Sequence, residues 1–84
     1  AYQFRGEAHF ALQEYAAAAS DFTEFVDRFP KSDKKARALL MTGDSYVYLK
    51  QPFVAKGFYG ECVKRYAERE ECKASKERLA RMGM

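Results

Sequence analysis

The feature that most constrains this chain is that it repeats itself. Residues 24–33 read EFVDRFPKSD and residues 61–70 read ECVKRYAERE, a displacement of 37 positions. Overlaying 2–30 on 39–67 at that shift pairs Gly6 with Gly43, Leu12 with Leu49 and Ala18 with Ala55. It also pairs Glu24 with Glu61, Val26 with Val63 and Arg28 with Arg65. Glu7 and Asp44, Phe22 and Tyr59, and Phe29 and Tyr66 are conservative pairs in the same register. A period in the thirties is too short for a domain and is the length of a helical hairpin repeat.

Each unit divides into two helices. Phe4, Ala8, Ala11 and Leu12 mark one face of the first, and Gln13-Glu14 interrupts the pattern. Ala18, Phe22, Phe25, Val26 and Phe29 then follow the i, i+4, i+7, i+8, i+11 spacing of a core-facing helix. Pro30 stops it, because proline lacks an N–H and disfavours helical geometry at the residue before it. Ser32 or Asp33 suits the cap of the next helix. The second unit repeats the scheme with Ala36, Leu39, Leu40, Gly43, Tyr46 and Val47, a turn at Lys50-Gln51, and Pro52 at a helix start. Its second stripe is Ala55, Tyr59, Cys62, Val63 and Tyr66. Gly6 and Gly43 fall inside helices, where glycine costs roughly 1 kcal/mol against alanine. Close approach of a neighbouring helix, whose large side chain fills the space, is the expected compensation.

Residues 70–82 form a fifth helix with Ala74, Leu79 and Met82 inward and a charged outer face, as befits a cap that seals a stack. The expected fold class is all-α: antiparallel helical hairpin repeats plus a C-terminal capping helix, with helices near 1–13, 16–29, 33–50, 53–66 and 70–82. The expected division is repeat one over 1–32, repeat two over 33–69 and the cap over 70–84. Six Tyr, seven Phe, two Pro and few β-branched residues agree with helices rather than sheets. The chain opens inside a helical pattern without an initiator Met, which points to a piece of a longer chain. It contains no apolar run near membrane-spanning length, so no direct membrane insertion is expected of this segment.

Charge is uneven: residues 1–30 balance at −3 and residues 31–84 at +6. The basic residues alternate with acids, and the aromatics sit at core spacing. A solvated helix surface follows, not a nucleic-acid footprint.

The spacing Gly6…Ala18…Phe22…Pro30, and again Gly43…Tyr46…Ala55…Tyr59, resembles the tetratricopeptide repeat. A narrower likeness lies in Tyr15, Ala18, Phe22, Phe25, Arg28, Phe29, Pro30 and Ser32, then Gly43-Asp44-Ser45-Tyr46, then Lys76, Arg78 and Leu79. These resemble the C-terminal domain of the periplasmic, Tol-Pal-associated YbgF/CpoB family. That resemblance implies a periplasmic adaptor that binds a Tol-system component and serves cell division. The repeats of the lipoprotein in the outer-membrane β-barrel assembly machinery use similar phrases and imply a scaffold instead.

Candidate chemistry is sparse. His9 is the only histidine, has no partner nucleophile at a recognisable spacing, and reads as a packed residue. Cys62, Cys72 and one distant histidine lack the close ligand pairs of a zinc site. No catalytic residue, metal or cofactor is expected. The two cysteines lie ten apart about the turn at Ala67. In an oxidising compartment they could bridge the cap to the last repeat; otherwise they are two independent thiols.

In tetratricopeptide stacks the first helix of each repeat lines the concave side. By position that places Gln3, Glu7 and Phe10 from repeat one there, with Arg37, Leu40, Met41, Asp44, Val47 and Tyr48 from repeat two. This mixture of apolar and charged side chains suits a protein or peptide partner. Alternatively the face of helix 1–13 carrying Tyr2, Phe4, His9 and Phe10 serves a homodimer.

Overall fold

A computed structural model of the chain describes residues 2–29, 31, 32 and 34–82, with side chains from Arg5 onward. Pro30 and Asp33, expected to break and cap, lie outside the described residues, as do the side chains of Tyr2, Gln3 and Phe4. Among the described residues there are five helices: α1 Tyr2–Ala11, α2 Tyr15–Arg28, α3 Lys35–Tyr48, α4 Pro52–Tyr66 and α5 Glu70–Arg81. Each packs on the next, and α5 also packs on α3. The all-α expectation holds, and every observed helix end lies within two residues of its expected position.

The two hairpins are copies at the level of hydrogen bonds. Gln13 and Lys50, 37 positions apart, both adopt left-handed backbone, φ 65° and 63°. Gln13 N–H donates to Phe10 C=O and Glu14 N–H to His9 C=O, at 3.0 and 2.8 Å. Lys50 N–H to Val47 C=O and Gln51 N–H to Tyr46 C=O repeat this at 3.0 and 2.9 Å. A left-handed residue lets the chain fold back onto the last carbonyls of a helix and satisfy them. Arg28–Glu24 and Arg65–Glu61 form equivalent i, i+4 ion pairs at 3.5 and 3.2 Å. The recurrence of E-x-x-x-R is therefore a recurrence of one surface contact, worth only some tenths of a kcal/mol each.

The core runs through the stack in three overlapping clusters. Ala18, Phe22, Phe25 and Ala38 join α2 to α3. Ala36, Leu39, Cys62 and Cys72 join α3, α4 and α5. Leu40, Ala55 and Tyr59 form the third, with Tyr46, Ala74, Leu79 and Met82 against it. Cys62 and Cys72 are bonded as a disulfide within the second cluster, their Cα atoms 5.2 Å apart. In repeat register Cys62 replaces Phe25. The junction after repeat one is thus filled by a phenyl ring, and the junction after repeat two is covalent.

Some expectations need correction. Ala8, Ala11 and Leu12 are exposed, Leu12 at 70 %. Helix α1 packs chiefly on α2, through Gly6, His9 and Phe10, and reaches α3 through Glu7 and Phe10, so the face carrying Ala8, Ala11 and Leu12 is left exposed. Phe29 is 48 % exposed, with its ring 5.2 Å from that of the buried Phe25. In the cap, Ala74, Leu79 and Met82 do face inward, half-buried against the third cluster, although Cys72 and Ser75 are buried more deeply. Ser32 accepts the Lys34 N–H at 3.1 Å but does not cap α3, whose N-cap Lys34 has no side-chain cap bond.

The helix glycines behave as expected. A Cβ on Gly6 would stand 3.0 Å from the Phe22 ring, and one on Gly43 would collide with the Tyr59 ring. Tyr59 is fully buried, so its ring has nowhere to go. Gly60 faces open space. Gly43→Ala should cost about 1–3 kcal/mol through overpacking, whereas Gly60→Ala should gain up to about 1 kcal/mol. Urea unfolding of both variants checks the pair; equal effects would contradict the close approach of α3 and α4.

Candidate functional site

Tyr59 projects from α4 across Gly43 toward α3, and its hydroxyl donates to Asp44 Oδ1. Arg78 Nε of α5 stands 2.7 Å from the same oxygen, and Arg78 Nη1 donates to Ala74 C=O at 3.3 Å. Asp44 thereby ties three helices together. Burial first, then the hydrogen bond to the Asp44 carboxylate and its negative charge, push the Tyr59 phenol far above its ordinary range. The Arg78 guanidinium opposes this only in part.

Glu7 occupies the position equivalent to Asp44 one repeat earlier. It too receives an arginine from the following first helix: Arg37 Nε donates to Glu7 Oε1 at 2.8 Å. The two arginines occupy repeat positions one helical turn apart, yet each spans the same kind of gap. Adjacent helices of this face are therefore laced by Arg–carboxylate pairs.

An open cleft of about 710 Å³ lies beside the Asp44–Arg78 pair. Phe10 supplies its α1 side, and Val47 and Tyr48 supply α3. Glu77, Arg78 and Arg81 supply α5, with Met82 just beyond it and Tyr59 at the base. Val47 and Tyr48 remain 41 % and 58 % exposed, so apolar surface is left available to a partner. Phe10, Tyr15 and Tyr48 pack against one another at the rim, with Tyr15 and Tyr48 stacked at 4.5 Å between centroids.

The expected site residues therefore divide. Phe10, Asp44, Val47 and Tyr48 line the cleft. Glu7 and Arg37 share that face but engage each other. Leu40, expected both in the apolar stripe of its helix and on the concave side, is 8 % exposed and packs in the third core cluster. Met41 is half-buried against the Ala18–Phe22–Phe25 cluster. Gln3 lies among the residues whose side chains are not described.

The cleft wall contributed by α5 was not expected. Its Glu77, Arg78 and Arg81 read as a solvated outer face, although the repeat register was a usable signal: α5 follows α4 as α3 follows α2, so it occupies the place of another first helix. His9 sits half-buried, its Nδ1 3.4 Å from Glu14 Oε1 and its Nε2 3.6 Å from Asp21 Oδ2. Arg5 donates from Nε and Nη2 to Asp21 Oδ1 at 3.3 and 3.1 Å. In register, His9 and Asp21 correspond to Tyr46 and Phe58, whose rings stack at 5.7 Å. One repeat uses polar side chains where the other uses an aromatic pair. His9 and Phe10, expected in a homodimer face, are thus half-engaged within their own chain.

The family model for the tetratricopeptide repeat matches residues 5–32 and 37–68. The chain belongs to the tetratricopeptide repeat family. No curated protein matches it. Tetratricopeptide repeats generally mediate protein–protein interaction, and domains of this kind are typically non-catalytic. In this tetratricopeptide domain the matched segments correspond to the two hairpins, and α5 lies beyond them.

The raised phenol of Tyr59 has a consequence at alkaline pH. The unfolded chain ionises this tyrosine near its ordinary value of 10.0, whereas the folded chain keeps it protonated. Its contribution to stability is therefore present below that value and is lost as pH rises above it, by up to about 1.4 kcal/mol per pH unit. Tyr59→Phe should make the alkaline fall in stability correspondingly shallower; identical slopes for the two proteins in urea unfolding would contradict a buried, Asp44-bonded phenol.

Proposed function

We propose that this tetratricopeptide domain is a non-catalytic interaction module of the bacterial cell envelope that seats a partner segment in the α1–α3–α5 cleft. The observation that carries this reading is the cleft itself. Its walls combine the exposed Val47 and Tyr48 with Glu77 and Arg81 at the opposite side. Such a surface suits an extended or helical peptide with an apolar stripe. Arg37 and Asp44, by contrast, are engaged in lacing the helices and are poor probes of recognition.

The partner is a Tol-system component of the cell-division machinery, by resemblance to the YbgF/CpoB domains. The compartment is the periplasm on the same ground. The Cys62–Cys72 bridge supports it, because disulfides persist in oxidising compartments. Among the described residues no helix is long and apolar enough to cross a membrane.

Two measurements test the reading. Val47→Asp and Arg81→Glu, with helicity unchanged by circular dichroism, should each weaken binding of the soluble periplasmic domain of a Tol component by about tenfold or more; unchanged affinity overturns the cleft assignment. Thiol titration of denatured, unreduced protein isolated from the periplasm should find no free thiol. Two free thiols would remove the bridge as a support for the compartment. Where the bridge is present, reducing it should cost about 2–3 kcal/mol, since it closes a short loop.

A further inference from the structure

Of the six large apolar side chains exposed among the described residues, five fall in two short segments. Leu12, at 70 %, lies in the turn between α1 and α2. Val47, Tyr48, Phe53 and Val54, at 41, 58, 84 and 39 %, surround the turn between α3 and α4. These are the equivalent turns of the two repeats, so they emerge at the same edge of the stack. The Tyr15–Tyr48 stack joins the start of α2 to the end of α3 there. Folded chains rarely leave contiguous apolar surface without a use for it.

The charges around this edge have one dominant sign. Residues 47–56 contain Lys50 and Lys56 and no carboxylate. Lys50 is exposed at the left-handed turn position, and Lys56 Nζ lies 5.3 Å from the centre of the Phe53 ring. On the α1 side the nearby carboxylate, Glu14, is 3.4 Å from His9 Nδ1. A ligand that places apolar groups on Leu12, Tyr48 and Phe53 therefore meets lysines at its margin.

We infer that this turn edge, which adjoins the cleft at Val47 and Tyr48 and is centred on Phe53, is a second docking surface, and that it takes an acidic amphipathic segment of another protein. The apolar stripe of such a segment covers Phe53 and Leu12. Its flanking carboxylates reach Lys50 and Lys56, and the partly covered lysines give ion pairs more than the small value of fully exposed ones. Phe53 is the anchor, because an aromatic side chain already held in the open supplies large contact area.

The test is an amide-resonance titration of the disulfide-bonded chain with a short, end-blocked helical peptide. The peptide carries Leu and Phe at i, i+3, i+4 and i+7 and Glu on both flanks. A matched peptide carries Lys in place of Glu. The acidic peptide should shift amides in 12–15 and 47–56. It should bind about tenfold more weakly to Phe53→Ser and to the double variant Lys50→Glu/Lys56→Glu. The amide spectrum itself reports whether each variant is folded. Arg81→Glu, which alters only the cleft, should leave this binding unchanged. Equal binding of the two peptides, absence of shifts at the two turns, or loss of binding on Arg81→Glu would overturn the inference. So would Phe53-dependent association with phosphatidylglycerol vesicles in place of the peptide, which would mark the edge as a lipid-facing surface.

Discussion

The structure turns on the contact of the Tyr59 ring with Gly43 and of its hydroxyl with Asp44. The missing Cβ lets α4 approach α3 closely enough for a large ring to lie buried between them. Once there, the phenol must find an acceptor, because a buried hydroxyl without one costs about 1–3 kcal/mol. Asp44, one residue after the glycine, supplies it, and the carboxylate needs a cation in turn, which Arg78 provides. A backbone vacancy in α3 thus determines the seat of α4, the charge at the cleft base and the docking of α5.

The same logic explains why this face has walls at all. A stack of two hairpins has only two first helices, too few to form a deep concavity. Helix α5 adds a third, and the Asp44–Arg78 pair fixes it beside α3. Sealing the core and shaping the cleft are consequently one event. The earlier pair, Glu7 with Arg37, lies more open, with Arg37 48 % exposed, and contributes chiefly alignment.

Much of the fold was legible in the sequence, and for a simple reason. The 37-residue register and the 3.6-residue periodicity are both local, and both turns carry the same left-handed backbone. What escaped was set by neighbours remote in sequence. Leu40 carries no mark that distinguishes it from Val47, yet α5 covers one and leaves the other open. Ala8, Ala11 and Leu12 form a plausible inward face, but Gly6 binds the helix to Phe22 on a different one. Arg78 and Arg81 look like solvated charges because periodicity registers apolar stripes and is blind to a charge that meets a carboxylate on another helix. Glu7 and Asp44 stood out as a conservative pair on the concave side; their shared role as acceptors emerged with their partners.

The exchange of Phe25 for Cys62 gives the two junctions of the stack different kinds of strength. The first is held by shape and apolar contact, and it loosens by degrees as temperature or denaturant weakens burial. The second adds to its packing a bond that is indifferent to those agents and yields to electron donors. The cap, and with it one wall of the cleft, is thus secured by the chemistry of its surroundings, while the front of the molecule is secured by its own packing.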